Sequence, residues 1–252
     1  MSELKDKLIV ALDVDTLEKA KKIVDVLGDK VKFYKIGSQL FTSCGQDAIK
    51  MIGEKGGRVF LDLKFYDIPK TVYSAVASGT ASTIALHSIL SGSGEIKIKE
   101  QVKKATAFPV FMMTVHIQGG TEMLKQAVEG ATVKARELNI DRPFIIGVTV
   151  LTSRLATEEE VLESARNAKE AGLDGVVCSA YEAKKIRTEF GKDFIIVTPG
   201  IRPKGVAVDD QKRVATAKEA IEAGATYIVV GRPILEAKDP LKAVAGLLME
   251  TH

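Results

Sequence analysis

Short apolar runs rich in β-branched residues alternate along this chain with longer stretches in which apolar residues recur every three or four positions. The first pattern predicts buried β-strands, and the second predicts amphipathic helices that pack on them. Eight strand-like runs occur, at residues 8–13, 31–36, 59–64, 110–116, 144–151, 175–179, 194–198 and 227–231. Because eight strands that alternate with helices can close a parallel barrel, we predict one α/β domain with a (β/α)₈ TIM-barrel fold over residues 1–252.

The longer stretches carry helix-end signals in several places. Thr157 precedes three glutamates, which is typical of a helix start, while Gly172 and Gly224 stand where helices commonly end. Helices are predicted at residues 17–27, 158–171, 180–189, 217–223 and 241–250. The strand-like runs are apolar at nearly every position, as expected when helices cover one face and the barrel interior covers the other.

The connection between the third and fourth predicted strands breaks this rhythm. About 45 residues separate the two strands, which is far more than most other connections in the chain. This interval contains a helix-like stretch at 70–90, the spacer Ser91-Gly92-Ser93-Gly94, and a stretch at 95–107 that fits either a second helix or a short exposed strand. An ordinary surface excursion and a lid or partner-binding element both remain open.

Composition narrows the classes of function. With 46% hydrophobic and 27% charged residues and no apolar stretch long enough for a membrane span, the chain has the character of a globular protein without a membrane segment. The first residues lack a signal-peptide pattern, so we expect a cytoplasmic protein. The net charge is only +3 and the lysines are interleaved with acidic residues, which argues against a nucleic-acid partner.

Cysteines and histidines give no ligand-spaced cluster. Cys44 and Cys178 lie far apart in the sequence, and we expect both to be reduced. His87, His116 and His252 form no spacing typical of zinc ligands. No metal site is therefore predicted.

Charged residues concentrate where the predicted strands end, which is where barrels of this kind place catalytic groups. Asp62 and Lys64 are two positions apart on strand three, so both side chains are expected to point toward the barrel mouth. Asp13 and Lys35 end the two preceding strands, so we expect four charges of alternating sign to converge on this mouth. A lone Asp-x-Lys pair is commonly a structural ion pair. A network of Lys35, Asp62, Lys64 and Asp67 would instead hold a lysine protonated beside an ionised aspartate, which is an acid–base device.

A second cluster of residues, after strands seven and eight, predicts a phosphate-binding site. Thr198-Pro199-Gly200-Ile201-Arg202 follows strand seven, and Val230-Gly231-Arg232-Pro233-Ile234 follows strand eight. Barrels commonly bind phosphate there through backbone N–H groups and a helix start. Glycine permits close approach of the backbone, and arginine matches phosphate in a bidentate fork. Gln211, in the intervening loop, can donate an amide hydrogen bond to the same anion.

Eight motifs follow one another across about nine tenths of the chain. They are Ala11-Leu12-Asp13, Tyr34-Lys35-Ile36-Gly37, the run from Phe60 to Val72, Val115-His116-Ile117-Gln118-Gly119-Gly120, Leu151-Thr152-Ser153, Thr198-Pro199-Gly200-Ile201-Arg202, Asp210-Gln211-x-Arg213 and Val230-Gly231-Arg232-Pro233-Ile234. In this order they resemble the orotidine 5′-monophosphate decarboxylase family. The resemblance implies conversion of orotidine monophosphate to uridine monophosphate and carbon dioxide, a step of pyrimidine biosynthesis, with no metal or organic cofactor.

The resemblance also implies roles for individual residues. Lys64 would be the acid that protonates C6 as carbon dioxide leaves, and Asp62 would lie against the substrate carboxylate. Lys35 and Asp13 would bind ribose hydroxyls. The implied phosphate and pyrimidine contacts are Ser153, Pro199, Gly200, Gln211, Gly231 and Arg232.

The same family resemblance implies a homodimer with shared active sites. Asp67 and Thr71 would reach into the site of the partner subunit, and Ile68 between them would belong to the substrate-binding set. The chain departs from the family pattern at Lys70, where the family has asparagine. This places a bulky cation beside the two shared residues.

A larger departure follows, because residues 77–108 do not resemble the family's third helix and the interval is longer by about 25 residues. The Ser-Gly spacer is typical of an engineered or grafted segment, so we predict an atypical insertion at 77–108. Two rivals remain. One is a magnesium-dependent sugar-phosphate decarboxylase or aldolase of the same superfamily, such as 3-keto-L-gulonate 6-phosphate decarboxylase or hexulose phosphate synthase. The other is an inactive barrel scaffold that displays residues 77–108.

Overall fold

Eight parallel strands form a closed barrel in the computed structural model of the chain, which describes residues 5–82, 109–150, 156–203 and 214–249. Each strand pairs with the next in sequence order, and β1 closes the barrel by pairing with β8, where Leu8 lies opposite Ile228. The strands are β1 (Leu8–Ala11), β2 (Phe33–Gly37), β3 (Arg58–Phe65), β4 (Val110–His116), β5 (Phe144–Val148), β6 (Gly175–Val177), β7 (Ile195–Thr198) and β8 (Tyr227–Val230). The predicted TIM barrel is confirmed.

Helices connect the strands and cover the outside of the barrel. They are α1 (Leu17–Leu27), α2 (Ser38–Cys44), α3 (Gln46–Glu54), α4 (Pro69–Thr80), α5 (Gly120–Leu138), α6 (Glu158–Glu170), α7 (Ala180–Phe190), α8 (Ala217–Glu222), α9 (Arg232–Leu235) and α10 (Pro240–Met249). Capping boxes at Thr157 and Thr216 fix the starts of α6 and α8, because each threonine hydroxyl accepts from a backbone N–H that would otherwise have no partner. None of the described helices is long and apolar enough to cross a membrane.

The helix predicted at residues 70–90 is shorter than expected, and its predicted end is wrong. Helix α4 ends at Thr80, and Ala81 is its C-terminal cap. The hydroxyl of Thr80 donates to the carbonyl of Val76, and the hydroxyl of Ser82 donates to the carbonyl of Ser78. Such local bonds compete with helix continuation, and Gly79 lowers helix propensity further. Most of the insertion predicted at 77–108 lies outside the described residues.

Two buried layers hold the barrel together. Along β1, Leu8 and Val10 face the helices and join the larger core, whereas Ile9 and Ala11 face the barrel interior. The interior is filled by large side chains, so it is a packed core rather than a pore. Its members are Ile9, Ala11, Phe33, Phe60, Phe111, Met112, Ile146, Ile195, Val197 and Val229.

Helices α4 and α5, which flank β4, approach each other very closely. At Gly130 of α5, a Cβ atom would lie 2.5 Å from the backbone carbonyl oxygen of Tyr73 on α4. Only glycine permits this approach, because a backbone atom cannot move away as the end of a flexible side chain can. Helix α4 begins four residues after β3, the strand that carries Asp62 and Lys64. The packing of α4 on α5 therefore also fixes the position of the segment that leaves β3.

Candidate functional site

A cavity of about 450 Å³ opens at the carboxyl ends of the strands. This is the end of the barrel at which enzymes of this fold carry their active sites. The cavity is lined by Ala11, Asp13, Lys35, Phe60, Asp62, Lys64, Val148, Val150, Val177, Val197, Pro199, Gly200, Arg202, Val229, Gly231, Arg232 and Glu236. The predicted site residues among them are Asp13, Lys35, Asp62, Lys64, Pro199, Gly200, Gly231 and Arg232, joined by Arg202 of the predicted phosphate motif.

Four charged side chains form a row of alternating sign along one wall. The Nζ atom of Lys64 lies 2.9 Å from Oδ2 of Asp62, and the same oxygen lies 3.4 Å from Nζ of Lys35. Nζ of Lys35 in turn lies 3.0 Å from Oδ1 of Asp13. We call Lys64, Asp62, Lys35 and Asp13 the charge row. The sequence predicted convergence of these residues, but it placed Asp67 rather than Asp13 in the network.

Burial and pairing act in opposite directions on the charge row. Burial alone would raise the pKa of Asp62, but the ammonium groups of Lys35 and Lys64 offset it and hold the pKa below the usual 3.8. Burial would lower the pKa of Lys35, yet the carboxylates of Asp62 and Asp13 keep it above the usual 10.5. Asp62 is thus ionised and Lys35 protonated at neutral pH.

The backbone of β3 is irregular at Lys64. Between the pairs Leu61–Met113 and Phe65–Val115, β3 bulges away from β4, and Lys64 adopts a left-handed conformation with φ of 51°. The sequence predicts a regular strand that brings Asp62 and Lys64 to one face. The two side chains do meet, but they meet through the bulge. A left-handed non-glycine residue is uncommon and is found preferentially at functional sites.

Thr114 on β4 completes the geometry of the bulge, and the sequence did not identify it. Its hydroxyl accepts a hydrogen bond from the backbone N–H of Lys64 at 2.8 Å and donates to Oδ1 of Asp62 at 3.0 Å. Thr114 is fully buried. The available signal was a single hydroxyl within the apolar run of β4.

The segments that follow β7 and β8 contribute arginines and backbone groups to the cavity. Gly200 follows β7 with φ of 80°, a conformation that favours glycine, and Arg202 behind it is buried. Gly231 is the N-terminal cap residue of α9, which begins with Arg232. A Cβ atom on Gly231 would lie 3.6 Å from Oδ2 of Asp13, so the end of β8 lies directly beside the charge row.

Several predicted site residues lie elsewhere. Asp67, Ile68 and Thr71 are exposed and do not line the cavity of their own chain. Oδ1 of Asp67 accepts from the backbone N–H of Ile68 at 2.7 Å, just before the start of α4. Ser153 and Gln211 lie outside the described residues.

Much of the remaining cavity wall is apolar. Val148, Val150, Val177, Val197 and Val229 line it. The sequence placed these valines only in strands, because strand periodicity does not distinguish a core position from the floor of a cavity. Within the described ranges, no cluster of three or more His, Cys, Asp or Glu side chains could hold a metal ion.

Comparisons with known proteins agree with this arrangement. The model of the "Orotidine 5'-phosphate decarboxylase / HUMPS family" matches residues 6–109 and 97–247. An orotidine 5'-phosphate decarboxylase of Moorella thermoacetica is 41% identical over 98% of this chain and 92% of its own length. One of Heliobacterium modesticaldum is 42% identical over 98% of this chain and 96% of its own.

A solved structure leads to the same family. The crystal structure of orotidine 5'-phosphate decarboxylase from Lactobacillus acidophilus is 36% identical to this chain and superposes with a TM-score of 0.77. The superposition covers 98% of this chain and 99% of that one. The likeness therefore extends over the whole barrel rather than over one motif. With this family model, this fold and relatives of this similarity, the chain belongs to the orotidine 5'-phosphate decarboxylase / HUMPS family.

Proposed function

We propose that this protein decarboxylates orotidine 5′-monophosphate to uridine 5′-monophosphate, a step of pyrimidine biosynthesis. The observation that carries the proposal is the charge row, which places an ammonium and a carboxylate 2.9 Å apart at the mouth of the barrel. Arg202 and Arg232 line the same cavity. A substrate that carries both a carboxylate and a phosphate matches this combination of charged groups in one cavity.

Lys64 is the proton donor in this proposal. As the bond between C6 and the carboxylate breaks, carbon dioxide leaves and its bonding electron pair stays on C6. An ammonium fixed beside that carbon stabilises the developing charge and then transfers a proton to it. Solvent returns a proton to the Lys64 amine after product release. No other reactant is needed, because the proton gained by C6 balances the carbon dioxide lost.

Asp62 has a double role in the reaction. Its carboxylate holds the ammonium of Lys64 in place, and it lies where the substrate carboxylate is expected. Two anions about 4 Å apart repel by roughly 4 kcal/mol at an effective dielectric constant near 20. Loss of carbon dioxide relieves that repulsion. We rank the fixed ammonium first, because interactions that strengthen in the transition state accelerate the reaction most directly.

The remaining roles concern the ribose and the phosphate of the substrate. Lys35 and Asp13 bind the ribose hydroxyls, since they continue the charge row away from Lys64. The phosphate is held by Arg232 and the backbone around Gly200 and Gly231, with Pro199 shaping the loop after β7. Gln211 completes the phosphate site and Ser153 binds the pyrimidine, as the family resemblance implies.

We further propose a homodimer in which Asp67, Ile68 and Thr71 complete the partner subunit's site. Their exposure supports this, because Ile68 is 67% exposed beside Tyr66, which is 62% exposed, at the rim of the barrel. Large exposed apolar side chains next to a cavity are typical of an interface. We also propose a cytoplasmic location, which is supported by the two cysteines, Cys44 and Cys178, because they do not form a disulfide with each other.

The decisive experiment follows absorbance during incubation of the purified protein with orotidine monophosphate, with and without a chelator. Turnover that the chelator leaves unchanged supports the proposal. Turnover of a sugar phosphate that the chelator abolishes would instead establish a magnesium-dependent relative. A folded protein that releases no carbon dioxide from either substrate would favour an inactive scaffold.

A further inference from the structure

Thr114 occupies a position that neither the family motifs nor the proposed mechanism assigns. Its Oγ1 atom is the only described atom that bonds both to the backbone of Lys64 and to the carboxylate of Asp62. The two bonded residues belong to β3, whereas Thr114 belongs to β4, about 50 residues further along the chain. Thr114 thus joins the proposed proton donor to its anionic partner from a separate strand.

The bulge in β3 makes this threonine necessary for the Lys64 backbone. The register shift between Leu61 and Phe65 leaves the backbone N–H of Lys64 outside the regular pairing of β3 with β4, so it needs another acceptor. The Thr114 hydroxyl supplies the missing acceptor. Without it, a partly buried N–H would be unsatisfied in a residue that already has the uncommon φ of 51°.

The same hydroxyl also orients the Asp62 carboxylate. One hydroxyl has a single proton and two lone pairs, so it can accept from Lys64 and donate to Asp62 at once. Oδ1 of Asp62 receives that proton, while Oδ2 faces the ammonium groups of Lys64 and Lys35. The carboxylate therefore has a fixed rotation, and Oδ2 remains available to hold Lys64.

We propose that Thr114 is a positioning residue for catalysis, because its hydroxyl fixes both the backbone of Lys64 and the carboxylate that holds the Lys64 ammonium. This inference rests on the proposed function, since Lys64 is the proton donor there. Thr114 does not line the cavity and is not expected to touch substrate. Its effect should therefore fall on the rate of the chemical step and not on substrate affinity.

The test replaces Thr114 with valine, which keeps the shape and removes the hydroxyl, and with serine, which keeps the hydroxyl. For Thr114→Val we expect kcat to fall by about 30-fold and KM to change by less than about threefold, because misplacing a reacting group by a fraction of an ångström is costly. Thr114→Ser should stay within about threefold of the wild type. If Thr114→Val does not fold, Thr114→Ala tests the same loss in a smaller side chain.

Thr226→Val is the matched control. The Thr226 hydroxyl also accepts two hydrogen bonds, one from the backbone N–H of Ile196 and one from the guanidinium of Arg187. Thr226 lies just before the amino-terminal end of β8, away from the cavity. This variant should lower the melting temperature and leave kcat unchanged. If Thr114→Val behaves in the same way, with kcat unchanged, Thr114 is structural only and the proposal is overturned.

Crystal structures of the Thr114 variants separate this proposal from the proposed function. In Thr114→Val we expect the Asp62 carboxylate to rotate and the Lys64–Asp62 distance to exceed 2.9 Å, with the wild-type geometry restored in Thr114→Ser. That outcome supports positioning even if wild-type protein does not decarboxylate orotidine monophosphate. An unchanged geometry in Thr114→Val would overturn the positioning role even if wild-type turnover is normal.

Discussion

Lys64, the proposed proton donor, has an unusual backbone conformation. A left-handed lysine at the end of a barrel strand is unfavourable by itself, and it persists because buried partners fix it. Strain of this kind is expected where a side chain must be preorganised rather than free to rotate. Lys64 shares one carboxylate, that of Asp62, with a second ammonium group, that of Lys35.

Removal of the Lys64 ammonium should abolish decarboxylation without abolishing nucleotide binding. For Lys64→Ala we expect kcat to fall by at least about 10⁴-fold, since both charge stabilisation and the proton donor are lost. Binding of uridine monophosphate, measured by calorimetry, should stay within about tenfold because the phosphate contacts are remote. Lys55→Ala, which removes an outer-surface ion pair with Asp25, should keep wild-type turnover. Normal turnover by Lys64→Ala would refute the mechanism.

At the scale of elements, the packing of α4 against α5 has no spare room. We expect Gly130→Ala to lower the free energy of unfolding by about 1–3 kcal/mol, because the new methyl group meets the Tyr73 carbonyl oxygen at 2.5 Å. The control is Gly246→Ala in α10, where nothing lies within 4 Å of the added Cβ. That change should stabilise by about 0.5–1 kcal/mol through helix propensity. Urea denaturation of both variants measures the difference, and equal stability would contradict the packing argument.

The sequence predicts which segments form strands better than it predicts the local backbone geometry within them. The strand-like runs predicted all eight strands, because each is a short apolar segment whose character depends on its own residues. The bulge at Lys64 could not be predicted in this way. It depends on a hydroxyl of Thr114 that the barrel brings next to β3 from a distant part of the sequence. Helix α4 ended early for a local reason that the apolar periodicity did not contain.

The candidate site was likewise predicted only in part. Charge at strand ends predicted Asp13, Lys35, Asp62 and Lys64 correctly as neighbours, because the barrel places those ends together. The position of Asp67 was not accessible, since it depends on the turn before α4, where its carboxylate bonds to the backbone of Ile68. Its predicted place in the partner's site stays a prediction.

At the scale of the whole molecule, shared sites would make activity a property of the dimer. A mixture of Lys64→Ala and Asp67→Ala protomers should recover about a quarter of wild-type activity, because half of the dimers are mixed and each has one intact site. Mixing Lys64→Ala with Asp62→Ala should recover nothing, since both residues belong to one chain's charge row. Absence of recovery in the first mixture, or a monomer by ultracentrifugation, would contradict the shared-site proposal.

The charge row should also set how stability depends on pH. The pKa of Asp62 is depressed, so its contribution is complete above about pH 4 and is lost as pH falls through the folded-state pKa. The pKa of Lys35 is raised, so its contribution is complete below about pH 10 and is lost as pH rises through the folded-state pKa. Stability attributable to the charge row should therefore be constant between those limits.

Asp62→Asn tests this window in urea denaturation series. The variant should be less stable at pH 7 by on the order of 3 kcal/mol, because two ammonium groups at the cavity wall lose their shared carboxylate. The difference from the wild type should shrink as pH falls below about 4, because the unfolded chain takes up the Asp62 proton there, and the loss ends as pH passes through the lower folded-state pKa. Asp15→Asn, at an exposed carboxylate 2.7 Å from Lys19, should resemble the wild type throughout. A difference between Asp62→Asn and the wild type that grows on acidification would contradict a depressed pKa for Asp62.

Closure of the barrel between β1 and β8 has a consequence for how the chain is made. Leu8 and Ile228 are paired although about 220 residues of sequence separate them. During synthesis, β1 leaves the ribosome before the other strands, and it cannot pair with β8 until nearly the whole chain has followed. Until then one strand edge stays unpaired and open to misassociation, so the last strand to be translated is the one that protects the first.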